Sequence, residues 1–99
     1  QTVVLPITDS VNDYGQEVYQ TLFNAGIRVE LDSRNEKIGY KIRDWELQKA
    51  PVMLIVGEKE KAERQVSLRL HKKGDMGKMN VEDALSFLKT TIQSKSLTM

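Results

Sequence analysis

The chain has 99 residues, 39% of them apolar and 29% charged, a net charge of +1 and no cysteine. That length supports one domain over residues 1–99 whose core buries roughly 60 to 70% of the unfolded chain's surface. Near-neutral charge excludes attraction of nucleic acid by the overall field, so such binding must rest on local clustering. The lack of cysteine excludes disulfides and thiolate metal sites and suits a reducing, cytoplasmic setting. The longest apolar run, Val52 to Val56, is far too short for a bilayer, and no signal-peptide pattern is visible. A start at Gln1 reads as a piece cut from a longer protein, or a processed product.

Thr2 to Ile7 reads as a buried strand that Pro6 stops. Thr8, Asp9, Ser10 and Asn12 offer caps for a helix whose inner positions are Val11, Tyr14, Val18, Leu22 and Phe23, ended by Ala25-Gly26. Ile27 to Asp32 alternates with period two and predicts a half-buried strand. The next helix carries Ile38, Ile42 and Trp45 inward and must end before Pro51. Pro51 to Val56 is apolar at nearly every position, as in a strand covered on both faces, and Gly57 breaks it. Glu58 to Arg64 reads as a turn or short exposed helix. Gln65 to Leu70 alternates again, with Val66, Leu68 and Leu70 on one face and Ser67 and Arg69 on the other. A loop from His71 to Asp75 and a short edge strand at Gly77 to Met79 follow. Asn80 caps the last helix, with Asp83 at its third position and Val81, Ala84, Leu85, Leu88 and Ile92 as its stripe. Ser94 to Met99 is expected to fray. This order predicts an α/β layer fold with right-handed crossovers between the first three strands.

Catalytic chemistry is hard to assemble from these residues. The lone histidine, His71, falls in a basic loop and reads as a surface residue. Ser10 and Ser33 lack a nucleophile-elbow context. Ile7-Thr8-Asp9-Ser10 stands where a dinucleotide or phosphate loop would place glycines. Asp9, Asp13 and Asp32 invite comparison with a phosphoryl-receiver cluster but lack its paired acids and late lysine. The chain is expected to bind rather than to catalyse, with no metal or cofactor of its own.

The richest segment is Arg34-Asn35-Glu36-Lys37-Ile38-Gly39-Tyr40-Lys41-Ile42-Arg43, a strand-to-helix turn with four cations. Lys37 and Lys41 are one helical turn apart, which projects both ammonium groups from one side. Positive charge and free N–H donors at a helix start suit an anionic polymer. With Leu31-Asp32 before it and Lys49-Ala50-Pro51 after it, the run resembles the anticodon-binding domain of class II aminoacyl-tRNA synthetases. Asn35 to Arg43 narrows the resemblance to the C-terminal domain of bacterial threonyl-tRNA synthetases. Val4 to Asp9, Ala25 to Val29 and Met53 to Glu60 extend it over almost the whole chain.

The resemblance implies a mixed, roughly five-stranded sheet flanked by three helices. It also implies a grip on the anticodon loop of threonine tRNA, with the middle and third anticodon bases unstacked and read. Four matching positions suit base reading: Asn35 with its amide, Arg43 with its fork, Glu60 as an acceptor for guanine N–H groups, and Arg69 for a base carbonyl. Lys37 and Lys41 are implied as phosphate contacts. Gly39 permits either close approach at the helix start or helix-to-sheet packing. Trp45 reads as core rather than a base platform. The family commonly continues with more arginine after the position of Arg69, where Leu70-His71-Lys72-Lys73 stands here. ATP, magnesium and zinc belong, in this reading, to a catalytic domain N-terminal to this chain in a cytoplasmic, homodimeric threonine–tRNA ligase that aminoacylates its tRNA.

Other readings are open at this level. The looser Asp-x-Arg…Gly-x-Lys frame also fits prolyl, glycyl and histidyl synthetases, or an accessory subunit of a DNA polymerase built on the same fold. A small-ligand or phosphate binder would need a glycine-rich first turn. A purely structural dimerisation domain would need a large exposed apolar patch.

Overall fold

Short runs of apolar and β-branched residues pair into one mixed sheet, and the helices between them cover its faces. The computed structural model describes residues 2–71 and 74–98, with side chains as far as Thr90. The strands β1 (Thr2–Pro6), β2 (Val29–Leu31), β3 (Val52–Val56), β4 (Gln65–Leu70) and β5 (Gly74–Asn80) take the order β2-β1-β3-β4-β5. β1 is parallel to both of its neighbours, and β4 is antiparallel to β3 and β5. Helices α1 (Asn12–Asn24) and α2 (Ile38–Leu47) form the two parallel crossovers. A short α3 (Glu58–Glu63) links β3 to β4, and α4 (Val81–Thr98) closes the chain.

Strand alternation sends side chains to two separate cores. Val4, Leu54, Val66 and Leu68 meet Val18 and Leu22 of α1 and Ala84 and Leu88 of α4 on one face. On the other, Val3, Leu5 and Met53 meet Ile38, Ile42 and Trp45 of α2. α2 thus packs over β1 and β3. Farther along that face lie Ser67 and Arg69, both half-buried, and the exposed Lys78, which pairs with Ser67.

The five-stranded mixed sheet agrees with expectation, and α3 adds a fourth helix to the expected three. Phe23 departs from its expected place in the stripe: it is 57% exposed, because Leu22 beside it takes the inward direction. The proposed caps of the first helix do not cap it. A 3-10 turn at Asp9–Val11 precedes α1, whose N-cap is Val11 with no side-chain hydrogen bond. Asn80 does cap α4, its Oδ1 accepting from the Asp83 N–H at 2.7 Å. α4 runs on to Thr98, past the expected fraying point; the side chain of Ile92 lies outside those described. β5 begins at Gly74, earlier than expected, with a bulge opposite Leu68 and Arg69. His71 is half-buried rather than an open surface residue, and its N–H donates to the Pro51 carbonyl at 3.1 Å. Lys72 and Lys73 lie outside the described residues.

Gly15 shows how tightly α1 sits on β1. A Cβ at this position would lie 2.7 Å from Pro6 Cγ and 3.3 Å from Leu31 Cδ1. Proline cannot swing aside, so Gly15→Ala should destabilise the domain by about 1 to 3 kcal/mol although alanine is the better helix former. Urea unfolding of the variant tests this; an unchanged or raised midpoint would show that α1 can shift without cost.

Candidate nucleic-acid interface

The loop from Asp32 to Lys37 and the start of α2 are fixed by one buried carboxylate. The Asp32 side chain is 2% exposed. It accepts from the Arg34 N–H at 3.2 Å and from Arg34 Nε at 2.9 Å, both on Oδ1. Oδ2 accepts from Arg34 Nη2 and from Trp45 Nε1, each at 2.8 Å. Burial alone would raise the Asp32 pKa; the hydrogen bonds from Arg34 and Trp45 outweigh it and hold the carboxyl at about 2. Arg34 Nη2 also meets Asp44 Oδ2 at 2.9 Å, so the guanidinium ties the loop to α2. Trp45 therefore belongs to the framework, as its spacing suggested.

Lys41 corrects an expectation. Only 2% of it is exposed, and its Nζ donates to the Pro6 carbonyl at 3.1 Å and the Asp32 carbonyl at 3.2 Å. Burial lowers its pKa, opposed by the Asp32 charge. It joins the carboxyl ends of β1 and β2 and is not available to a phosphate. Lys37 and Lys41 do not project from one side because Lys37 is the N-cap of α2, with φ −65° and ψ 144°. An extended residue does not share the helical period of the residues after it. Lys37 itself is exposed.

The remaining candidates ring the open side of the sheet. Asn35 is exposed in the loop held by Asp32. Arg43 is exposed on α2 and, unlike Arg34 and Arg69, makes no ion pair with a described residue. It lines a groove with Ile7, Lys37, Ile38, Gly39 and Tyr40. Arg69 Nε lies 3.4 Å from Glu46 Oε1, and Glu46 is three residues beyond Arg43, hence beside it on α2. β4 is an interior strand, so Arg69 does not protect a sheet edge. Glu60 is 7% exposed; its Oε1 accepts from the Gly57 N–H at 2.8 Å, and Oε2 is 3.4 Å from Lys78 Nζ. Glu60 is thus no freely solvated carboxylate, and one of its oxygens already closes the first turn of α3.

Two residues at this surface were not singled out as contacts from sequence. Tyr40 is 54% exposed and Ile7 is 37% exposed, and both line the groove beside Arg43. The signal for Tyr40 was available: it falls off the Ile38, Ile42, Trp45 stripe. For Ile7 it was not, since the end of a strand does not reveal which side the chain will leave. Gly39 is exposed, and a Cβ there would meet nothing within 4 Å, which removes helix-to-sheet packing as its explanation. Asp13 pairs with Lys61 at 3.2 Å and Asp32 with Arg34 at 2.8 Å, so these two acids are committed to different cations. Among the described residues no group of three His, Asp or Glu side chains could hold a metal ion, and no helix is long and apolar enough to cross a membrane.

A family model described as an anticodon binding domain matches residues 1–91. The chain belongs to this anticodon-binding domain family. Threonine–tRNA ligase of Chloroherpeton thalassium is 50% identical over 97 residues, 98% of this chain. The same enzyme of Chlorobium phaeovibrioides is 54% identical over 99% of the chain, and that of Clostridioides difficile 48% over 96%. This anticodon-binding domain spans 15% of the length of each of these relatives. Among solved structures, the RNA binding domain of threonyl-tRNA synthetase from Cryptosporidium parvum superposes with a TM-score of 0.86 at 25% identity, covering 91% of this chain and 23% of that one.

Proposed function

We propose that this chain is the anticodon-recognition module of a threonine–tRNA ligase, holding the anticodon loop of threonine tRNA and reading its middle and third bases. The observation that carries the reading is a pair of donors on one face: the exposed Asn35 amide and the Arg43 guanidinium, which has no ion pair with a described residue, presented by a loop and helix that the Asp32 network ties together. Fixed donors suit recognition of unstacked base edges. The threonine relatives, similar along nearly the whole chain, favour threonine tRNA over the prolyl, glycyl and histidyl alternatives. In this proposal Arg69 joins from β4 by leaving Glu46, and Glu60 offers Oε2 by leaving Lys78. Aminoacylation, its ATP, magnesium and zinc, the homodimer and the cytoplasmic setting belong in this proposal to the longer parent.

The test is titration with a threonine-tRNA anticodon stem-loop beside one whose middle and third anticodon bases are exchanged. A loss of tenfold or more on exchange, about 1.4 kcal/mol, is expected. Equal binding to both loops would reduce the face to a basic patch. The two lysines give a separate check through salt. Lys37→Met should lower the slope of log affinity against log salt by about 1, as one phosphate contact disappears. Lys41→Met should leave that slope alone, since its ammonium is buried; a matching drop in both variants would contradict the placement of Lys41.

A further inference from the structure

We propose that Glu46 and Asp75 are specificity-determining residues: they keep RNA phosphate away from Arg69, so that its guanidinium is left for a base edge. The proposal rests on the reading of this face as an anticodon-loop surface and deepens it. It concerns the part of the face formed by β4 and β5.

Arg69 stands between two acids on different elements. From α2, Glu46 Oε1 lies 3.4 Å from its Nε, and the Glu46 and Arg69 side chains are 39% and 31% exposed. From β5, Asp75 is the cross-strand partner of Arg69, and directly opposed residues project from the same side of a sheet. Asp75 Oδ1 accepts from the Gly77 N–H at 2.8 Å, which ties this carboxylate to the bulge. Glu46 engages only the Nε edge of the guanidinium, so the Nη groups stay open to a ligand.

The neighbouring charges have the same bias. Lys78, the cross-strand partner of Ser67, is 3.4 Å from Glu60 Oε2. Two cations, Arg69 and Lys78, thus share this surface with three carboxylates, those of Glu46, Glu60 and Asp75. The start of α2 differs: Lys37 is exposed and has no ion pair with a described residue. An arginine without flanking acids is a ready phosphate ligand. A phosphodiester brought to Arg69 would sit beside two like charges, and that repulsion disfavours it. A base carbonyl is neutral and escapes the penalty, so the two acids sort base edges from backbone at Arg69. The backbone is left to Lys37.

The experiment titrates the threonine-tRNA anticodon stem-loop, and the loop with exchanged middle and third bases, at several salt concentrations. The unaltered chain is compared with Glu46→Gln/Asp75→Asn and with Glu82→Gln/Asp83→Asn. The second pair changes net charge equally but lies on α4, which covers the other face of the sheet. Amide replacements keep an acceptor oxygen at each position, and both double variants are expected to melt like the unaltered chain. Glu46→Gln/Asp75→Asn should bind the exchanged loop about tenfold more tightly and the matched loop no more than about threefold more tightly. Its slope of log affinity against log salt should steepen by about 1, as Arg69 takes a phosphate. Adding Arg69→Ala to that variant should remove the extra slope. Discrimination and slope left as in the unaltered chain would overturn the proposal. An equal change in the α4 variant would overturn it too, since net charge alone would then account for the effect. Where the unaltered chain still discriminates between the loops, either result removes this proposal alone. An unaltered chain that binds both loops equally, or neither, removes the anticodon reading and this proposal with it.

Discussion

Asp32→Ala is expected to lower the unfolding free energy by about 3 kcal/mol at neutral pH, the largest effect of any single substitution in the binding face. The carboxylate accepts four hydrogen bonds from Arg34 and Trp45. Its removal leaves the half-buried indole N–H unpaired and the buried Lys41 ammonium without its nearest counter-charge. Arg34 loses less, because it is part-exposed and keeps Asp44. The effect carries a pH signature. A folded-state pKa of about 2 lies below the ordinary aspartate value near 4. The stabilisation is therefore present in full above about pH 4 and is lost as pH falls through 2. Integrated over that window it amounts to roughly 2 kcal/mol. Urea denaturation of both proteins between pH 7 and pH 2 should give stabilities whose difference narrows by roughly 2 kcal/mol toward the acid end. Curves that stay parallel throughout would mean that Asp32 is not the group responsible.

Arg43→Ala and Asn35→Ala are each expected to weaken anticodon-loop binding by about 1 to 3 kcal/mol while shifting stability by no more than about 0.5 kcal/mol. Both side chains are exposed, so truncation breaks no packing. Arg43 has no ion pair with a described residue to lose. Calorimetric titration with the stem-loop, alongside thermal melts, separates the two quantities. Binding left intact in both variants would defeat the assignment of these positions. Glu60 needs a gentler substitution: alanine would remove the acceptor for the Gly57 N–H and loosen α3 whatever its role in binding. Glu60→Gln keeps an acceptor for that N–H and removes the charge, so any loss of affinity reports on recognition more than on folding.

The layer order was legible in the residues themselves. Period-two runs at Ile27 to Asp32 and Gln65 to Leu70, the apolar β3 segment and the stripe Ile38, Ile42, Trp45 fix which side chains face inward, because burial enforces the geometric period of each element. The cluster Asn35 to Arg43 was legible as a strand-to-helix turn rich in charged and amide groups, and it supplies the proposed base-reading positions Asn35 and Arg43. What stayed hidden depended on partners distant in sequence. Lys41 had the spacing of a surface cation, yet the carbonyls of Pro6 and Asp32 draw it inward. Glu60 is committed in part to Gly57 and Lys78, and Arg69 to Glu46. Sequence periodicity determines the face on which a residue begins; which charges are spent within the fold and which remain for a ligand is decided by tertiary contacts, since hydrogen bonds and ion pairs depend on distances that no local pattern encodes.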